Sequence, residues 1–168
     1  MLRPILSFRK EGHRLPIGRN LAVILAAVSA CAALAAPASA STQPAAGTFV
    51  EGPETIVSER QSGGNTIITL TRETVISGTY TGVGQVDQYV VIHSDGSFNF
   101  HQVITFTGIV CWQPGVLEIE VVGRGDFNEN LLTGTYTVIG PTDVGRGNGR
   151  IVSQPGVGGT YEGQVHCD

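Results

Sequence analysis

Lysine is absent from the last 128 of the 168 residues, and arginine is scarce there. Residues 41–168 contain 5 Arg and 13 Asp or Glu, a net charge of −8 with histidine neutral. Nucleic acids and anionic membrane surfaces are bound mainly through clusters of Lys and Arg. The composition therefore predicts that neither of them is a partner of this part of the chain.

Strong helix formers are also scarce. From Ser41 onward there are 4 Leu and 2 Ala against 17 Val and 16 Thr, and no segment shows the apolar spacing of an amphipathic helix. Val and Thr favour strands, and clusters of Gly or Pro interrupt the sequence about every dozen residues. An all-β domain is therefore predicted, with candidate strands at 47–60 (with a break expected at Gly52-Pro53), 65–80, 85–94, 97–109, 116–124, 131–139, 147–153 and 159–167.

Known catalytic and metal-binding motifs are missing. The sequence contains no Gly-x-Ser-x-Gly, no His-Glu-x-x-His and no phosphate-binding loop before a helix. His93, His101 and His166 lie on separate candidate strands, without a spacing typical of metal ligands. We therefore expect no metal and no cofactor. Whether the protein is an enzyme is left open, and the absence of motifs favours a non-enzymatic role.

The chain has only one long apolar run, Leu21–Ala36. Basic residues precede it, and Pro37 and Ala38-Ser39-Ala40 follow it. This order is typical of a secretory signal peptide, and 16 residues are fewer than a spanning helix needs. We expect cleavage after Ala40, a short linker over 41–46, a domain over 47–168, and a secreted or periplasmic location. The alternative is a lipoprotein cleavage box at Val28–Cys31, with Cys31 lipidated as a membrane anchor.

Export determines how the cysteines are interpreted. Without Cys31 the mature chain holds two cysteines, Cys111 and Cys167, in an oxidising compartment. The sequence has no Cys-x-x-Cys spacing, which would indicate a redox or metal pair. We predict a disulfide between them, with Trp112 packed over it. A reactive thiol or metal pair is the alternative.

A Gly-Thr-aromatic pattern occurs four times, at Gly47–Phe49, Gly78–Tyr80, Gly134–Tyr136 and Gly159–Tyr161. Its spacing is irregular, so it is not a solenoid or propeller repeat. Glycine inside a strand marks a bend or a close backbone approach, and curled sheets require such bends. The pattern favours a single antiparallel eight-stranded barrel over the alternative, a β-sandwich.

The hairpin about Asp95-Gly96 predicts which side chains line this barrel. Asp-Gly between apolar residues favours a two-residue type I′ turn, which pairs His93 with Phe98. The opposite face, which includes Val86 and Val90, would then point outward as a covered surface or an oligomer contact. The candidate ligand-binding interior consists of Asp87, Tyr89, His93, Phe98, Phe100, Gln102, Ile104 and Phe106.

Four stretches carry a family resemblance: Asp95–Phe98, Phe106–Gly108, Leu132–Gly140 and Gly159–His166. In order and spacing they resemble the bacterial proteins of unknown function that have an allene-oxide-cyclase-like barrel. The resemblance covers most of residues 47–166. It implies an eight-stranded antiparallel barrel, a hydrophobic cavity that shapes a reactive intermediate, and a homotrimer. No functional residue of the cyclases matches a position in this chain.

Three functions are compatible with the sequence. The first is a non-enzymatic exported barrel that binds a small apolar ligand or serves as an interaction module. The second is an isomerase or cyclase whose cavity steers a reactive lipid-like intermediate. The third is a structural, envelope-associated oligomer. Eight strands enclose an interior that is either filled by side chains or wide enough for one small ligand.

Overall fold

A computed structural model of the chain describes residues 41–141 and 145–167. Within these residues there is no helix, and so none that is long and apolar enough to cross a membrane. The predicted leader, its cleavage site and Cys31 lie outside the described residues. The secondary structure consists of β1 (Ser41–Glu51), β2 (Thr55–Ser62), β3 (Asn65–Gly78), β4 (Tyr80–Ile92), β5 (Ser97–Val110), β6 (Gln113–Asp126), β7 (Leu131–Gly140), β8 (Arg146–Gln154) and β9 (Gly158–Cys167).

The strands form one antiparallel sheet that closes on itself. Consecutive strands pair from β2 to β9, and β1 pairs with β9 on one side and with β3 on the other. At the closure Gly47 lies opposite Tyr161 on β9 and Gly78 on β3. β1 and β3–β9 thus form a closed eight-stranded barrel. The predicted all-β class and barrel are confirmed, and the sandwich alternative is wrong.

The N-terminal part of the domain differs from the prediction. Residues 41–46, expected as a linker, belong to β1 and pair with β9. The break expected at Gly52-Pro53 is present, and it divides the candidate strand 47–60 into two strands, because the chain bends between Glu51 and Thr55. At the bend the Gly52 N–H donates to the Glu73 carbonyl at 2.8 Å. β2 then continues along the edge of β3, outside the barrel, and is exposed over its whole length.

The turn between β4 and β5 also differs from the prediction. The Gly96 N–H donates to the His93 carbonyl at 3.1 Å, and Gly96 has a φ of +89°. The His93 N–H donates in turn to the Ser97 carbonyl at 2.8 Å. This arrangement is that of a hairpin closed by a glycine bulge, which adds one residue to the loop. The predicted type I′ register is therefore wrong by one residue, and Ile92 rather than His93 lies opposite Phe98.

This shift exchanges the two faces of β4. Val86 and Val90 are buried, so they form no outer apolar surface. Asp87 and Tyr89 point outward, and His93 lies half-buried in the turn, so the prediction that these three line the interior is wrong. The prediction for β5 is confirmed, since its inward side chains are buried: Phe98, Phe100, Gln102, Ile104 and Phe106.

Cys111 and Cys167 form a disulfide, as predicted. Cys111 lies in the turn after β5, and Cys167 ends β9, on the opposite side of the barrel. The bond therefore crosses one end of the barrel, which we call the lower end; the end with the Asp95-Gly96 hairpin is the upper end. Trp112 is 93% exposed, so the prediction that it packs over the disulfide is wrong.

Inside the barrel, aromatic rings lie over glycines of neighbouring strands. Tyr136 on β7 is opposite Gly149 on β8, which is opposite Gly163 on β9. A Cβ atom added at Gly149 would lie 2.5 Å from the Tyr136 ring, and one added at Gly163 would lie 2.7 Å from the Tyr136 hydroxyl oxygen. The glycines thus leave the space that the large rings occupy. The same arrangement joins Phe100 to Gly123 and Gly134, and Tyr161 to Gly47 and Gly78.

Candidate functional site

The interior of the barrel is incompletely filled. A lower cavity of about 50 Å³ and an upper cavity of about 100 Å³ lie one above the other. Arg72 and Glu51 border both cavities. The lower cavity is lined mainly by Ile76, Tyr80, Val86, Ile104, Ile119, Tyr136 and Tyr161. The upper cavity is lined mainly by Ile68, Leu70, Val90, Ile92, Phe98, Phe127 and Leu132.

A buried ion pair separates the two cavities. Arg72 Nη2 lies 2.8 Å from Glu51 Oε1, and the two side chains are 4% and 5% exposed. Arg72 Nη1 lies 2.7 Å from Glu54 Oε1, which is closer to solvent. Arg72 Nη2 also donates to Gln102 Oε1 at 3.4 Å. A charge this far from water requires such partners, so the pair and its amide neighbour hold one another in place.

Glu51 also attaches the β8–β9 turn to the barrel. Its Oε2 accepts a hydrogen bond from the Gly156 N–H at 2.9 Å, and its backbone N–H donates to the Val157 carbonyl at 3.0 Å. Pro155 and Gly156 of this turn border the upper cavity. Glu51 therefore holds a turn that forms part of the wall of the upper cavity.

Five buried polar atoms lack a hydrogen-bond partner among the described residues. They are Arg72 Nε, Tyr80 OH, Gln88 Oε1, Tyr136 OH and Ser153 Oγ. Most buried polar atoms in proteins are paired, and each unpaired one is costly. Four of the five belong to residues that border a cavity. Side chains that carry an unpaired polar atom therefore line the cavities, while the unpaired atoms themselves are buried.

Three tyrosines cluster about the lower cavity. The ring centroids of Tyr80 and Tyr161 are 5.6 Å apart, and those of Tyr136 and Tyr161 are 6.0 Å apart. Burial raises the pKa of Tyr136 to about 12, and burial with the neighbouring tyrosines raises the pKa of Tyr80. Phenols of this kind stay protonated near neutral pH and serve as hydrogen-bonding groups rather than bases.

Burial also raises the pKa of Glu51, because the loss of hydration outweighs the opposing attraction of Arg72 and the hydrogen bond from Gly156. Burial therefore affects the pKa of Glu51 more than the ion pair with Arg72 does. Among the described residues, no three His, Cys, Asp or Glu side chains converge as metal ligands.

The raised pKa predicts how Glu51 affects stability. Between the ordinary value of 4.5 and the raised value, the folded state keeps a proton that the unfolded state has lost. The stabilisation that Glu51 contributes through its raised pKa is therefore complete below pH 4.5 and declines as the pH rises through this window. We expect the difference in unfolding free energy, wild type minus Glu51→Gln, to decrease as the pH rises through this window. Urea denaturation at stepped pH measures this difference, and a constant or increasing difference contradicts the assignment.

The structure brings together only the β5 part of the predicted site. Gln102 meets Arg72, and Phe98 and Ile104 border the upper and lower cavities respectively. Sequence reasoning missed Arg72, Glu51 and Gln88. A signal for Arg72 was present, since it alternates in phase with the inward residues of β3, Leu70, Thr74 and Ile76.

The fold is similar to that of a solved structure, a protein of unknown function of the DUF3224 family from Shewanella oneidensis MR-1. The TM-score is 0.57 and the identity 14%, over 76% of this chain and 98% of that one. At this identity the similarity shows a shared fold alone. No family model and no curated protein matches the chain. The allene-oxide-cyclase-like assignment stays a prediction.

Proposed function

We propose that this protein binds a small, largely apolar molecule inside its barrel. The observation that carries the proposal is the pair of adjoining cavities, whose walls are mostly apolar and include a few polar groups, chief among them the Arg72–Glu51 ion pair. Ligand sites have this composition, with apolar walls and a few polar groups that fix orientation.

The cavity volumes limit the size of the ligand. Sites for drug-sized molecules measure about 300–1,000 Å³, and an engineered apolar cavity of about 150 Å³ binds benzene. Cavities of about 50 and 100 Å³ are each smaller than the one that binds benzene, so a single ring or a short chain is the upper limit for the ligand that we propose. The larger cavity lies at the upper end, beside the Pro155-Gly156 turn, and we propose this end as the entrance.

Native mass spectrometry of the purified protein tests the proposal. We expect complexes with one bound molecule when a library of single-ring and short-chain compounds is screened. Leu132→Phe places a larger side chain at the wall of the upper cavity and is expected to weaken binding at least tenfold. A screen that returns only unliganded protein contradicts the proposal.

Leu131→Phe is the matched control, since Leu131 is the adjacent residue on β7 and is 40% exposed. It is expected to leave binding unchanged. Equal binding by the two variants would place the ligand outside the upper cavity. If Leu132→Phe fails to fold, Val90→Phe on β4, which also lines the upper cavity, provides the same test.

The proposed place of action is the periplasm or the extracellular space. The Cys111–Cys167 disulfide supports it, since cytosolic proteins rarely keep structural disulfides. Mass spectrometry of the protein from the extracytoplasmic fraction is expected to show an N-terminus at Ser41. A lipidated N-terminus at Cys31 would instead support the lipoprotein alternative.

A further inference from the structure

An open groove crosses the outer surface of the barrel between two rows of exposed side chains. Directly opposed residues on β6, β7, β8 and β9 form the first row: Arg124, Thr133, Val152 and Thr160. Two residues along each strand, the second row consists of Val122, Thr135, Arg150 and Glu162. All eight side chains line the groove, which extends on to β1. We call the space between the two rows the waist groove.

The waist groove has the size of a ligand site. Its volume is about 940 Å³, within the range of about 300–1,000 Å³ that is usual for such sites. Neighbouring strands are about 4.8 Å apart, so five strands give the groove a length of about 19 Å, and its two rows are about 7 Å apart. A long, narrow and open groove of this kind suits an extended chain rather than a compact molecule.

Arg124 and Arg150 bring positive charge to this groove in an otherwise acidic domain. They are two of the 5 Arg in residues 41–168, where Asp and Glu number 13. The ion pairs among the described residues involve Arg72 and His101, so neither arginine of the groove has a carboxylate partner there. Glu162 lies opposite Arg150, so the lining holds two cations and one anion. This balance suits a ligand with a few spaced carboxylates rather than a dense polyanion.

The remaining groups of the groove favour a sugar chain over a peptide or a nucleic acid. A peptide that adds a strand needs a free sheet edge, and β6–β9 are each paired on both sides. Single-stranded nucleic acids stack on exposed aromatic rings, whereas Tyr161 in the lining is 6% exposed. The threonine hydroxyls both donate and accept hydrogen bonds, as sugar hydroxyls do. Val122 and Val152, 44% and 49% exposed, offer contacts to the C–H groups of a sugar ring.

We propose that the waist groove binds an extended acidic saccharide, an oligomer of sugars that carry carboxylates. Carboxylates of the ligand would pair with Arg124 and Arg150 in charge-assisted hydrogen bonds. Sugar hydroxyls would bond to the threonines of both rows and donate to the Glu162 carboxylate. This site lies outside the barrel, so the inference goes beyond the proposed function and does not depend on a ligand in the interior.

Two acidic probes test the ligand class, short oligomers of galacturonic acid and of mannuronic acid. Titration calorimetry at pH 7 and low salt is expected to show binding of at least one of them, and the methyl ester of that oligomer is expected to bind at least tenfold more weakly. Failure of both acids to bind overturns the inference, as does equal binding of the ester. Oligoglutamate of the same charge that binds as tightly as the saccharide would also overturn it, because charge alone would then explain the binding.

Arg124→Gln and Arg150→Gln test the position of the site. Each is expected to lower the affinity for the acidic oligomer about fivefold, because an exposed ion pair contributes up to about 1 kcal/mol. Both arginines are exposed, so neither change is expected to impair folding. Arg146→Gln is the matched control, since Arg146 is exposed on β8, removes the same charge and lies outside the groove. Unchanged affinity in both groove variants, or an equal loss in Arg146→Gln, overturns the inference.

Discussion

Arg72→Met is expected to lower the free energy of unfolding by about 3–5 kcal/mol at pH 7. Removing the guanidinium leaves Glu51, whose side chain is 5% exposed, as a buried carboxylate without its cation. Burial already raises the pKa of Glu51, and the loss of Arg72 favours the protonated form of Glu51 further. The cost of Arg72→Met is therefore expected to be smaller at acidic pH. Urea denaturation at pH 7 and at pH 4.5 measures both effects.

A second substitution, Glu51→Gln, distinguishes the cost of an unpaired charge from the cost of lost packing. Arg72→Met/Glu51→Gln leaves no buried charge unpaired, since the remaining carboxylate, Glu54, is 41% exposed, and the double variant is expected to recover more than half of the loss. The exposed pair His101–Glu120 serves as the control, because its side chains are 48% and 43% exposed. His101→Ala is expected to cost less than about 1 kcal/mol. Equal costs for Arg72→Met and His101→Ala would refute the assigned role of the buried pair.

The general architecture was predictable because it depends on local patterns. In β6, Leu117, Ile119 and Val121 alternate with Glu118 and Glu120, and the three apolar side chains are buried. Turn residues marked the strand ends, and an even pair of cysteines in an exported chain predicted the disulfide. Closure of the barrel depends on β1 pairing with β3, a long-range contact that no local pattern encodes.

The site was harder to predict because it depends on register. Asp95-Gly96 is compatible with two loops that differ by one residue, and the choice between them decides the face of every side chain on β4. β5 was assigned correctly because its aromatic residues alternate strictly and are apolar enough to identify the interior. Arg72 and Glu51 were missed because charged residues are usually expected outside, although both alternate in phase with buried neighbours.

Glycines in the wall explain how three tyrosines fit into an eight-stranded barrel. Tyr136 lies across two glycines in succession, Gly149 on β8 and Gly163 on β9, so its ring occupies space where two side chains would otherwise be. The Gly-Thr-aromatic pattern in the sequence reflects part of this packing, since Gly134 and Tyr136 share one face of β7. The partners of the ring, however, come from the next two strands. The role of Gly149 is therefore to accommodate Tyr136 and thereby shape the lower cavity, which Tyr136 borders.

Gly149→Ala is accordingly expected to cost about 3 kcal/mol of unfolding free energy and to lower the Tm by roughly 10 °C. The new methyl group would lie 2.5 Å from Tyr136 Cε1 and 2.8 Å from Gly163 Cα, and would also meet the Glu162 carbonyl oxygen, so the backbone as well as the ring must move. Gly140→Ala is the control, because no atom outside its chain neighbours lies within 4 Å of the added Cβ atom. Its effect is expected to stay within about 0.5 kcal/mol. Calorimetry that gives both variants the same Tm would show that the glycines are not required by the rings.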